Sequence, residues 1–188
     1  MTNINEIATQ MVTPGKGILA ADESSGTIKK RFDSINVEST EENRMNYRRI
    51  LFETQEAMQN YISGVILFDE TLRQSNKDGK KLVDIINDAG SLPGIKVDMG
   101  AKELAFMSGE TVTEGLDGLR ERLEEYSNLG AKFAKWRAVI AISDKIPSSL
   151  CIDANSHALA RYSALCQEAG IVPIVEPEVL MDGSHTIE

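Results

Sequence analysis

The sequence is poor in the residues that build metal, redox and disulfide sites. Among 188 residues there are two cysteines, two histidines and one tryptophan. Cys151 and Cys166 fall in one helical stretch; 15 positions apart on a helix, they stand roughly 22 Å from each other, beyond disulfide reach. Both are expected as reduced, partly buried thiols. His157 lies mid-helix and His185 in a turn, and without a spaced cluster around them no zinc site is expected. No apolar run approaches the roughly 20 residues that span a bilayer. The start, Met1 to Glu6, lacks the basic opening and apolar stretch of a signal peptide, which favours the cytosol. A basic excess is missing too: 20 Lys and Arg face 29 Asp and Glu, a net charge of −9. That balance argues against broad nonspecific nucleic-acid binding, although a local cluster of Lys and Arg can still hold an anionic substrate.

What the sequence has is a repeated apolar run that ends in charge. The runs are Gly17-Ile-Leu-Ala-Ala-Asp22, Gly64-Val-Ile-Leu-Phe-Asp69, Gly94-Ile-Lys-Val-Asp98, Phe133-Ala-Lys-Trp-Arg137 and Ile171-Val-Pro-Ile-Val-Glu-Pro-Glu178. Between them the periodicity is helical, and this alternation predicts an α/β fold with a parallel sheet wrapped by helices. Strand starts near 17, 64, 94, 133 and 171 recur at roughly 38-residue intervals, so eight units would take about 300 residues, within the range of a (β/α)8 TIM barrel. The chain supplies about the first five such units. An open doubly wound sheet is the alternative, because five strands suffice for it. No linker, low-complexity tract or repeat divides residues 1–188.

The helical stretches have legible ends. Residues 4–12 put Ile4, Ile7, Ala8, Met11 and Val12 on one face, and Pro14-Gly15 stops them. Ser39-Thr-Glu-Glu42 fits a capping box that opens a long helix with Tyr47, Ile50, Leu51, Thr54 and Met58 inward. Leu82, Ile85, Ile86 and Ala89 mark a short helix. Leu116, Leu119, Leu123 and Tyr126 mark another, closed by Gly130. A last helix covers about 148–169, with Leu159, Tyr162 and Cys166 along one stripe.

Strands covered on both faces normally read as unbroken apolar runs, and Lys96 and Lys135 break that rule. Side chains two apart share a face, so Lys96 goes with Asp98, Lys135 with Arg137, and Glu176 with Glu178. Buried charges are costly unless paired. The set is therefore either an ion-pair layer inside the barrel or a catalytic constellation, and the carboxyl ends of the strands are where such a barrel keeps its chemistry. A lysine among cations is a nucleophile toward a carbonyl. Asp22 and Glu176 are candidate proton-transfer groups. Lys96 and Arg137 can hold phosphate, as can the backbone of Ser24-Ser25-Gly26 leading into a helix near Thr27. These parts suit carbon–carbon chemistry on a phosphorylated carbonyl compound, with isomerisation and decarboxylation left open. Gly15-Lys-Gly17-Ile-Leu-Ala20 mimics a dinucleotide fingerprint but precedes a strand where the true motif follows one. Trp136 alternates with Lys135 and Arg137 and is expected to face the helical shell.

Several segments resemble class I fructose-bisphosphate aldolases. They are Gly15-Lys-Gly-Ile-Leu-Ala-Ala-Asp-Glu-Ser24, Gly64-Val-Ile-Leu-Phe68, Gly94-Ile-Lys-Val-Asp98, Phe133-Ala-Lys-Trp-Arg137 and Val172-Pro-Ile-Val-Glu-Pro-Glu178, with Ser39-Thr-Glu-Glu-Asn-Arg44, Gly109 to Leu119 and Leu159-Ala-Arg-Tyr162. The resemblance runs in order over nearly the whole chain. It implies a cytoplasmic lyase of glycolysis and gluconeogenesis that needs no metal or other cofactor. Such an enzyme cleaves fructose 1,6-bisphosphate to dihydroxyacetone phosphate and glyceraldehyde 3-phosphate through a lysine Schiff base, commonly as a homo-tetramer, with a phosphorylated sugar rather than nucleic acid or membrane as partner.

By that resemblance Asp22 handles the substrate hydroxyl proton during cleavage. Glu176 is the acid/base of imine formation and hydrolysis, Lys135 is a second active-site lysine, and Glu178 supports them. Lys96, Arg137, Ser24 and Arg31 match substrate- and phosphate-contacting positions, and Thr27 stands where many relatives carry serine. The family's imine-forming lysine lies on the sixth strand. The expectation is thus the N-terminal part of one barrel domain, poorly stable, association-prone and nearly inactive on its own. The alternative is a non-catalytic half-barrel that binds a phosphorylated sugar or a partner chain.

Overall fold

The structure is a computed structural model that describes residues 3–187; the first two residues of the stretch read for a leader, and Glu188, lie outside it. Five strands, β1 (Gly17–Ala21), β2 (Ile62–Leu67), β3 (Leu92–Lys96), β6 (Phe133–Ile140) and β7 (Val172–Val179), form one sheet in the order β1-β2-β3-β6-β7. Every neighbouring pair in it is parallel. A doubly wound sheet requires the order to reverse at a switch point, and this order never does. The sheet is the arc of an incomplete TIM barrel. Among the described residues no helix is long and apolar enough to cross a membrane.

The alternation of side chains decides what lies on each face of the arc. Val65, Leu67, Ile95, Val97, Ala134, Trp136 and Ala138 point outward into one core with the helices. There they meet Phe52 of α3 (Glu41–Phe52), Leu82 and Ile86 of α6 (Leu82–Asp88), Leu123 of α7 (Leu119–Asn128) and Tyr162 of α8 (Ser149–Glu168). Trp136 stacks at 5.5 Å on Tyr162 as its alternation implied, and the Tyr162 hydroxyl donates to the Ile174 carbonyl at 3.2 Å. Inward, Ile66, Leu92 and Phe133 make a second cluster with Ile7 and Met11 of α1 (Ile4–Met11). This short helix caps the amino-terminal end of the barrel. The Phe133 ring fills space that two glycines leave: a Cβ on Gly94 would lie 2.3 Å from it, and one on Gly64 2.8 Å.

Several local expectations are corrected. The long helix after residue 40 is two, α3 and α4 (Gln55–Tyr61), and its cap is Thr40, which accepts from the Asn43 amide at 3.1 Å, rather than Ser39. The inner face of α3 is accordingly Met45, Arg48 and Phe52, and Ile50 is exposed. Val12, expected on the inner face of the first helix, is the C-cap of α1 and exposed. The sequence also hid a hairpin, β4 (Ala101–Glu103) against β5 (Thr111–Thr113), between β3 and α7. The remaining helices, α2 (Ser25–Asp33) and α5 (Asp69–Arg73), follow β1 and β2 directly.

Candidate active site

Inward positions change character along each strand. Where the lower half carries Phe133 and Val172, the upper half carries Lys135, Arg137, Glu176 and Glu178. The register sets Phe133 opposite Val172, Arg137 opposite Glu176 and Lys96 opposite Lys135. Two ammonium groups facing each other across a ladder repel, and carboxylates answer each one. Lys96 meets Asp98 at 3.0 Å. Lys135 meets Asp22 at 3.3 Å and Glu176 at 3.5 Å. The immediate partners of Lys135 are thus anions from the first and last strands of the arc rather than the cations its spacing suggested. Arg137 is paired with Glu178, with Nη2 donating to Oε1 at 3.0 Å. The Glu178 hydrogen bond raises the basicity of Arg137, and the same contact holds the Glu178 carboxyl below its usual range.

These groups line one open cleft of about 400 Å³ at the carboxyl ends of the strands. Asp22, Ser24, Thr27, Lys96, Lys135, Arg137, Glu176 and Glu178, all expected there, share it, and Glu23 joins them. Ser24 is the N-cap of α2: its Oγ accepts from the Thr27 amide at 3.4 Å and lies 3.1 Å from Thr27 Oγ1. The cleft therefore receives two hydroxyls and the positive end of a helix, a suitable cradle for phosphate. Arg31 does not line it. Its guanidinium is half exposed and pairs with Glu23 at the rim.

The arrangement places a cationic amine between two carboxylates, one at each end of the arc, beside a guanidinium and a helix N-terminus. Such a set can move protons to and from a bound hydroxyl and balance the charge of a phosphate ester. A model of class I fructose-bisphosphate aldolase matches residues 3–188.

The chain belongs to the class I fructose-bisphosphate aldolase family. A probable fructose-bisphosphate aldolase class 1 of Xanthomonas campestris pv. campestris is 63% identical over 183 residues, 97% of this chain and 54% of that relative. Cytosolic fructose-bisphosphate aldolase 4 of Arabidopsis thaliana is 60% identical over 96% of this chain and 46% of its own length. Among solved structures, fructose-bisphosphate aldolase of Plasmodium falciparum, in a ternary crystal with TRAP and a small-molecule inhibitor, superposes with a TM-score of 0.94 at 49% identity. That match covers 98% of this chain and 53% of the other. The chain thus spans about half the length of the relatives it matches.

Sequence reasoning missed the groups that support the cleft. Thr113 Oγ1 donates to the Arg137 carbonyl at 2.7 Å and Thr111 Oγ1 to the Val139 carbonyl at 3.0 Å, so β5 props the upper half of β6. Buried Asn155 holds β5 in turn, accepting from the Thr113 amide at 3.2 Å and donating to the Thr111 carbonyl at 2.8 Å. Arg122 donates to the Val97 carbonyl at 2.9 Å, next to Asp98. An asparagine amid the apolar stripe of α8 was the available signal for the first of these; one of two arginines on a charged helix gave none for the second.

Proposed function

We propose that residues 1–188 are the N-terminal five β/α units of a single barrel domain that cleaves fructose 1,6-bisphosphate reversibly through a lysine Schiff base. The observation that carries this reading is Lys135 held between Asp22 and Glu176, at 3.3 and 3.5 Å. Asp22 would take the hydroxyl proton as the carbon–carbon bond breaks. Glu176 would serve imine formation and hydrolysis, with Glu178 supporting it. Lys135 would balance the charge of both. Lys96, Arg137, Ser24, Thr27 and Arg31 would contact the substrate and its phosphates; for Arg31 and Arg137 that means exchanging a carboxylate partner for a phosphate. The imine-forming lysine belongs to the family's sixth strand, outside these five units. A homo-tetramer in the cytosol fits the family, and the Arabidopsis relative is named for that compartment.

The test is a chimaera in which residues 1–188 replace the matching segment of the Xanthomonas relative. It should cleave fructose 1,6-bisphosphate and form a borohydride-trappable imine, and size exclusion should return a tetramer. Among the described residues β1 and β7 each lack an outer neighbour, so residues 1–188 alone should associate through those edges and show no cleavage. A monodisperse, inactive chimaera that still binds the sugar phosphate would favour the non-catalytic half-barrel. Robust cleavage by the 188 residues alone would refute the assignment of the imine lysine.

A further inference from the structure

Arg48 has no exposed surface, although it lies on a helix rich in charge. It sits on the inner face of α3 between Met45 and Phe52. Nη1 donates to the buried Thr71 hydroxyl at 2.6 Å, and Nη2 donates to the backbone carbonyl of Glu23 at 2.6 Å. Its Cζ stands 5.8 Å above the Phe68 ring, and the Glu70 carboxylate lies 3.7 Å away. Glu70 is itself gripped by Arg44, whose Nε donates to it at 2.8 Å. One guanidinium thereby ties the segment after β1 to the segment after β2 from behind the cleft.

A buried guanidinium is costly, and an apolar residue of similar volume commonly does as well for stability. Burial lowers the basicity of Arg48, against the pull of Glu23 and Glu70. Stability alone is therefore a poor reason for arginine at this position. What it supplies is geometric. The carbonyl it holds belongs to the residue between Asp22 and Ser24, and two donors in a rigid fork fix that carbonyl relative to Thr71. A side chain held by packing and outer hydrogen bonds keeps its neighbours within a fraction of an ångström of the geometry they need.

We propose that Arg48 is a positioning residue that clamps the Glu23 carbonyl and so aims Asp22 and Ser24 into the cleft. The inference rests on the proposed function, which gives Asp22 the cleavage step and Glu176 the imine steps. That division of labour supplies a readout that a merely structural role would not move. In the chimaera, Arg48→Met should lower kcat for fructose 1,6-bisphosphate cleavage at least tenfold, while borohydride trapping of the imine with dihydroxyacetone phosphate stays within twofold. Arg48→Lys should fall between, because one ammonium reaches either Thr71 or the Glu23 carbonyl but not both. Thr71→Val, which removes a single anchor, provides the milder variant should Arg48→Met fail to fold. Cleavage and trapping that decline together, or a kcat within twofold of the unsubstituted protein, overturn the clamp. Hydrogen exchange reads it without any activity: amides of residues 22–27 should exchange at least tenfold faster in Arg48→Met, with β6 unchanged. Unaltered exchange there overturns the clamp, whereas an unsubstituted chimaera that neither cleaves nor traps overturns the proposed function instead.

Discussion

Lys135 and Asp22 are 113 residues apart in sequence and meet at 3.3 Å. Neither strand of this pair touches the other in the sheet: β1 and β6 are separated by β2 and β3. The contact spans the arc, and only a curved sheet brings it about. Curvature is therefore what converts isolated charges on separate strands into one site.

The first prediction follows from that contact. In the chimaera, Lys135→Met and Asp22→Asn should each lower kcat by about 10²–10⁴-fold, the usual worth of a positioned proton-transfer group or its charge partner. The double variant should cost little more than the worse single one, because the two act as a unit. Steady-state kinetics on the three proteins measures this directly; additive losses would mean that the two residues work independently.

The Arg137–Glu178 pair predicts a pH dependence. Its folded carboxyl lies below the ordinary value of 4.5, held there first by the Arg137 hydrogen bond. A depressed carboxyl contributes stability that is present above its unfolded pKa and is lost as pH falls through the folded one. Glu178→Gln should thus melt lower than the parent at neutral pH, and the gap should close below about pH 4. Both side chains are more than a third exposed, so the gap should be small and should shrink in high salt. A gap that widens in acid would contradict the pairing.

Burial governs both thiols. It pushes Cys166 up to about 12 and raises Cys151 as well. Only the thiolate attacks a disulfide reagent. The native chimaera should therefore leave both unmodified at pH 8 and release them on unfolding in guanidinium. Rapid labelling of either in native protein would show that α8 opens far more readily than its packing implies.

Adding one methyl group inside the barrel should be felt. Gly94→Ala drives a Cβ to 2.3 Å from the fully buried Phe133 ring. Overpacking of this kind costs about 1–3 kcal/mol. Urea denaturation of the chimaera should register that loss, and Phe133→Leu in the same background should recover part of it.

The five strands of the main sheet, their parallel pairing and the charged upper layer were legible in the sequence, because period-two alternation and runs ending in charge are local signals; the β4–β5 hairpin was not. Lys96 with Asp98 and Glu176 with Glu178 were readable as same-face pairs for that reason. What was not legible required knowing which strands would be neighbours. Lys135 reaches Asp22 only through the curvature of the arc, and Glu176 only because β7 pairs with β6. Arg48 defeated the periodicity differently. An arginine three residues from Met45 and four from Phe52 fits the inner stripe by spacing, but its charge assigns it to solvent until a partner is visible. That partner is a backbone carbonyl on another element, which leaves no trace in composition. Ile50 was drawn inward by treating the stretch that carries Tyr47, Ile50, Leu51, Thr54 and Met58 as one helix, where the structure has two.

The cap that α1 places on the barrel has a consequence for how the chain is made. Ile7 and Met11 pack beside Phe133, Val172 and Ile174, so a helix made before every described strand docks against the last of them. At about 5–20 residues per second, the helix would wait on the order of 10–30 s before its seat exists. During that interval its apolar face stays exposed in the company of β1 and β2, whose own sheet is still growing. Vectorial synthesis thus leaves residues 4–11 waiting longer for their full packing than the later elements of the same cluster.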